Sequence, residues 1–175
     1  ADVEVRFIER QSGNIYSYLM GVGTLTRISN KTLPGIQWAA WSPSGATSFV
    51  RYLGDNVSTI NTYCLSADGS GGFLFPLGLA DIAVSSSSVL ALATGATGSI
   101  ASLSSMDGTH KTTVFSSPLS ALRVGFVGKS GYLAFTKPSQ SLMGTLFFVS
   151  TSGRFSRIAG PLPGLIALGN HTGST

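Results

Sequence analysis

The side chains with the most chemistry to offer in this 175-residue chain are two histidines, one cysteine and seven acidic residues. Nucleophilic catalysis needs a nucleophile, a base and a group that orients the base. His110 stands three residues after Asp107, just past a turn, so an Asp107–His110 contact is within reach. No serine in a strand-to-helix elbow accompanies the pair. A simpler task for Asp107 is to accept hydrogen bonds from its own turn backbone. His171 lies in a glycine-rich C-terminal stretch. Cys64 has no second cysteine for a disulfide or a thiolate metal cluster. Asp55, Asp68, Asp81 and Asp107 are dispersed singly, whereas a calcium loop concentrates oxygen ligands at alternating positions. Gly21 and Gly23 read as a hairpin, not as a phosphate loop between a strand and a helix. The expectation is therefore of no catalytic, cofactor-binding or metal-binding residue, and of no cofactor.

Charge is the second candidate for function. Only 10% of residues are charged, against about 25% in ordinary globular chains. Residues 1–107 hold seven acids and five bases, whereas residues 108–175 hold six bases and no acid. Of those six, Arg123, Lys129, Lys137, Arg154 and Arg157 are the candidate surface for an anion or a partner. Tyr132, Phe135, Phe147, Phe148 and Phe155 are interleaved with them, a pattern that also serves single-stranded nucleic acid. Strand alternation assigns half of such rings to packing, so nucleic acid is not the expected partner. Trp38, Trp41 and Tyr63 are likewise assigned to packing between sheets. Three glycosylation-type triplets begin at Asn30, Asn56 and Asn170, all in expected loops.

The elements that must position these residues are strands. Apolar segments of about six to eight residues alternate with Gly, Pro, Asn, Asp and Ser clusters. No stretch has helical periodicity. The expected strands include Val3–Phe7, Ile15–Met20, Thr24–Ser29, Ile36–Ser42, Thr47–Leu53 and Ile60–Ser66. Gly72–Pro76, Asp81–Val84, Val89–Thr94, Ser99–Ser105, Lys111–Ser116 and Leu122–Val127 follow, then Tyr132–Thr136, Thr145–Ser150, Phe155–Ala159 and Leu165–Leu168. Residues 82–106 carry no charge, but Ser85–Ser88, Gly95 and Gly98 interrupt them. A spanning helix needs about 20 mostly apolar residues, so no transmembrane segment is expected.

The order of elements repeats. Ile15, Ile60, Ile100 and Leu146 open equivalent strands at spacings of 45, 40 and 46. The turn residues Gly45, Ser88 and Gly131 are 43 apart, and the hairpin glycines Gly69, Gly108 and Gly153 are spaced by 39 and 45. Asp68-Gly69 and Asp107-Gly108 suit a primed hairpin turn. A period near 43 with four strands per unit is a β-propeller signature.

Trp41-Ser42-Pro43-Ser44-Gly45, followed by an apolar strand and later by Asp68-Gly69-Ser70 or Asp107-Gly108-Thr109, resembles the blade repeat of TolB-like and WD-repeat-like propellers. The pattern departs from that family at Ser44, where an Asp is usual, and at Ser85–Ser88, where the motif is lost. The Trp-Asp and Gly-His dipeptides of true WD repeats are absent. The resemblance implies an all-β domain of about four blades, each a four-stranded antiparallel sheet, with repeats at about 1–45, 46–88, 89–131 and 132–175. Either Leu165–Leu168 pairs beside Val3–Ile8 and closes a small ring, or the chain is part of a larger propeller.

Such a fold hosts many functions. The expected one is a non-catalytic binding or scaffold module for a protein or other macromolecular partner. The alternatives are a self-assembling structural or surface protein and a portion of a propeller enzyme whose active site lies on other blades. A homo-oligomer or additional blades would complete the ring. The N-terminal segment has no signal-peptide core. An extracytoplasmic or cell-envelope location, after loss of a signal or anchor, is compatible with the sequence.

Overall fold

The computed structural model describes residues 2–54 and 59–169. Every regular element among them is a strand. Asp55, the triplets at Asn56 and Asn170, and His171 lie outside the described residues. Two compact units divide the chain, Ala1–Gly78 and Leu79–Thr175.

In the first unit, β1 (Glu4–Ile8), β2 (Ile15–Leu19) and β3 (Thr24–Arg27) form one antiparallel sheet. A second sheet contains β4 (Ile36–Trp41), β5 (Thr47–Leu53), β6 (Ile60–Ser66) and β7 (Phe73–Leu74). Alternation decides which side chains enter the core between them. Ile15 and Ser17 of β2 are buried, and Ile8 joins the cluster of Ile15, Leu33, Ile36, Val50 and Leu65. Trp41 and Tyr63 pack against the same cluster, whereas Trp38 is 41% exposed. Phe49, fully buried, meets Phe75 edge-on at 5.3 Å.

The second unit has the same construction. One sheet is β8 (Leu79–Val84), β9 (Ser88–Gly95), β10 (Gly98–Ser105) and β11 (Thr112–Ser117). The other is β12 (Leu122–Val127), β13 (Gly131–Thr136), β14 (Met143–Ser150) and β15 (Phe155–Pro163). Each is a meander in which sequence neighbours pair. Leu90, Leu92, Ala101, Phe115, Val124, Phe126, Tyr132 and Ala134 are members of their shared core. Phe115 packs edge-on against Phe155 at 5.1 Å.

Ile36, Leu79 and Leu122 open the first strands of the three four-stranded sheets at spacings of 43, and all three are buried. The first sheet differs, with three strands and with β1 at its edge. Leu165 is the next residue in the 43-residue series, yet residues 165–168 form no strand, contrary to the strand expected there. Gly164 turns the chain at φ +65°, and Gly169 comes to rest against the Phe126 carbonyl, so the segment lies beside β12 without a ladder. Leu168 is 91% exposed.

The repeated turn is also not the primed hairpin. Ser66, Ser105 and Ser150 accept through their carbonyls from the N–H of Gly69, Gly108 and Gly153 at 2.9–3.0 Å. A primed turn of type I′ needs φ > 0 at both central residues. Ala67 and Asp68 are not left-handed; the positive φ falls on Gly69, at +74°. This is a type I turn followed by a left-handed glycine, and at Ser105–Thr109 and Ser150–Arg154 it closes as a three-residue hairpin.

Candidate functional site

The turn aspartates are structural. Asp107 accepts from the Thr109 backbone N–H at 3.0 Å and from its hydroxyl at 2.7 Å. Asp68 accepts from Ser70 in the same way, at 2.8 and 2.7 Å. These hydroxyl and amide bonds favour the charged form and hold both carboxyls below the usual range. His110 places Nδ1 2.8 Å from the Thr109 hydroxyl, and its contribution to Asp107 is a minor attraction across space. Among the described residues no three His, Cys, Asp or Glu side chains gather as a metal site.

Cys64 is buried in β6, and desolvation pushes its thiol up to about 11. At pH 8 the thiolate fraction is then about a thousandth, against roughly a quarter for a free cysteine. Iodoacetamide should therefore label the native protein far more slowly than the urea-unfolded chain. Equal labelling rates, read by mass spectrometry, would count against the burial of β6.

The five candidate basic residues do not share one place. β12 and β13 run antiparallel, so Arg123 and Lys137 stand at one end of the last sheet. Lys129 in the β12–β13 turn and Arg154 in the β14–β15 turn stand at the other, with Arg157 on β15 nearer that end. Arg123 is also committed. Its Nη1 lies 3.4 Å from Oδ1 of Asp81, whose other oxygen accepts from the Val124 N–H at 3.0 Å. Asp81 is 4% exposed and ties β8 to β12.

The end that holds Lys129 also holds a cavity of about 460 Å³. Ser85–Ser88, the β8–β9 turn, forms one wall, while Phe126, Gly128, Lys129, Gly131, Tyr132 and Thr151 form the rest. The serine turn is held by Ser85, whose Oγ accepts from the N–H of Ser88 at 3.0 Å and donates to its carbonyl. Sequence reasoning singled out Lys129 but assigned the serines to a decayed turn and Tyr132 to packing. Only the stacking of two sheets brings them together.

A second feature is in the first sheet. The register Val5↔Tyr18, Phe7↔Tyr16 and Tyr18↔Leu25 puts these side chains on one face. Val5, Phe7, Tyr18 and Leu25 are 38–57% exposed, and Phe7 stacks on Tyr16 at 5.5 Å. The opposite face carries Ile15 and Ser17 into the core. At the β1 edge, Arg6 bonds Glu4 at 3.0 Å and 3.2 Å and reaches the Gly45 carbonyl at 3.3 Å. The bonds from Arg6 and Ser17 lower the Glu4 pKa, and that to Glu4 raises the Arg6 pKa.

No protein-family model matches the sequence, and no curated protein matches it. Solved structures do. TolB from Acinetobacter baumannii is similar at TM-score 0.61 and 9% identity, over 88% of this chain and 41% of that one. The N-terminal domain of Nup159 is similar at TM-score 0.59 and 11% identity, over 89% of this chain and 45% of that one. The β-propeller domain of the Trilobed protease from Pyrococcus furiosus is similar at TM-score 0.57 and 7% identity, over 89% and 52%. At such identity the likeness is one of fold: the antiparallel sheets are propeller-like blades. The chain spans about half the length of the solved propellers it matches.

Proposed function

We propose that this chain is a non-catalytic propeller module that binds a protein partner through its first sheet. The observation that carries the reading is the combination, on one sheet, of an edge at β1 with no further strand beside it among the described residues and an exposed face of Val5, Phe7, Tyr18 and Leu25. Backbone groups at an open edge favour strand addition, and an exposed apolar face favours a covering surface. Blades completing the same propeller would supply both. So would a protein partner. Support by analogy comes from Nup159 and nidogen, solved in structures with Dbp5 and laminin respectively.

A second reading, self-assembly, rests on Leu165. It continues the series Ile36, Leu79, Leu122 that begins each first strand. In a head-to-tail pair, residues 165–168 of one copy would add beside β1 of the next, with Leu165 near Ile8. A pair of such contacts would close a ring, whereas an open series would give filaments.

Light scattering over a concentration series tests both. A dimer or larger species that Phe7→Glu and Val5→Lys dissociate supports self-pairing through the first sheet. A strict monomer that acquires a defined mass only with added blades or a protein partner supports the first reading. A strict monomer that binds no protein, or binding that survives both substitutions, overturns the assignment to this sheet.

A further inference from the structure

The cavity beside the β8–β9 turn has three properties that seldom coincide by packing alone. Its polar lining consists of donors: the hydroxyls of Ser86, Ser87, Ser88, Thr151 and Tyr132 and the Lys129 ammonium, with no carboxylate among the lining side chains. Its aromatic wall is Phe126 and Tyr132, with ring centres 5.8 Å apart and planes tilted by 58°. And Tyr132 lines the cavity, its hydroxyl making no hydrogen bond to any described residue.

We infer that this cavity is a binding site for a small organic anion, a carboxylate or phosphate carried on a flat or apolar body. Lys129, exposed and free of any ion pair among the described residues, supplies the charge at the rim. The Tyr132 hydroxyl and the serine turn supply directed donors. Burial raises the Tyr132 phenol further above neutrality, so it stays protonated and donates. The ligand body lies against the Tyr132 and Phe126 rings. The volume is within the range of small-molecule pockets, about 300–1,000 Å³.

Neighbouring charge supports an anion. The same end of this unit carries Lys111 after the β10–β11 turn and Arg154 after the β14–β15 turn. The acid at this end, Asp107, is engaged by Thr109. Ser85 is committed to holding the turn, which leaves the hydroxyls of Ser86 and Ser87 facing solvent and available to a ligand.

The test is a titration of the isotope-labelled full chain, followed by amide chemical shifts, with phenyl phosphate, benzoate and neutral benzyl alcohol in separate arms. Saturable shifts at Ser86–Ser88 and Gly128–Tyr132 with either anion, and not with the alcohol, are expected. Tighter binding of phenyl phosphate identifies a phosphate site, and tighter binding of benzoate a carboxylate site. Lys129→Gln and Tyr132→Phe should each weaken binding about tenfold, the order of one lost charge-assisted or directed hydrogen bond. Both substitutions spare the fold, because Lys129 is exposed and Tyr132→Phe keeps the ring. The proposal is overturned if neither anion saturates by about 10 mM, a range that captures millimolar affinities. It is also overturned if the alcohol binds equally, or if affinity is unchanged in both variants.

Discussion

Asp81→Ala should cost about 2–4 kcal/mol of folding stability, an effect out of proportion to the removal of one small side chain. The carboxylate lies in the core between β8 and β12, and its side chain is 5% exposed. Its deletion strands the Val124 N–H, which donates to it at 3.0 Å, in surroundings that exclude water. It also leaves the Arg123 guanidinium without its carboxylate partner at 3.4 Å. The second loss is the smaller one. The Arg123 side chain is 41% exposed and the contact is long, so water takes over much of its solvation. Arg123→Ala should therefore cost less than Asp81→Ala, and Asp81→Asn, which keeps an acceptor for Val124, should fall between them. Urea unfolding measures all three. Equal costs for Asp81→Ala and Arg123→Ala would show that the ion pair, not the backbone bond, is what matters. Amide exchange at Val124 should quicken in Asp81→Ala.

Phe49→Ala should cost about 3–5 kcal/mol, the range for emptying a well-packed aromatic site. Phe49 is fully buried on β5 and meets Phe75 edge-on, and Phe75 in turn packs against Phe73 of the edge strand β7. β7 has only two residues of ladder, so its place depends on those rings more than on backbone bonds. The variant should lose protection from exchange across residues 73–75 as well as global stability. Phe49→Leu, which refills most of the volume, should recover more than half of the loss. If Phe49→Ala unfolds with its midpoint unshifted, the packing described for the second sheet is wrong.

Strand positions were legible in the sequence because side-chain alternation and turn residues are local properties. Thr47–Leu53, Ile60–Ser66 and Leu122–Val127 coincide with β5, β6 and β12. Leu165–Leu168 has the same composition and failed, because a strand exists only where another strand offers it a ladder. Turn type was less legible than turn position. Asp-Gly serves both a primed turn and a type I turn with a following left-handed glycine, and the choice depends on loop length. Asp81 reads in sequence as one of several scattered acids; its role depends on β12 lying beside β8, about 43 residues on in the chain. The same holds for the cavity. Ser86 and Tyr132 are each unremarkable in their strands and turns, and their meeting with Lys129 is a product of stacking.

The first strand of each four-stranded sheet follows the turn series one step out of phase: Ile36–Trp41 precedes Gly45, Leu79–Val84 precedes Ser88, and Leu122–Val127 precedes Gly131. A segment cut at those turns therefore carries three strands of one sheet and the opening strand of the next. The same period counted from Ile36, Leu79 and Leu122 gives whole sheets instead. Copying a segment cut at the turns within a gene would insert a strand that must find its place in a neighbouring sheet, so each new copy is bound to the one after it from the moment it folds. Copying from Gly35, Gly78 or Ala121 would instead add self-sufficient sheets that could drift apart. The phase makes the array hard to shorten by a whole repeat without leaving an unmatched edge.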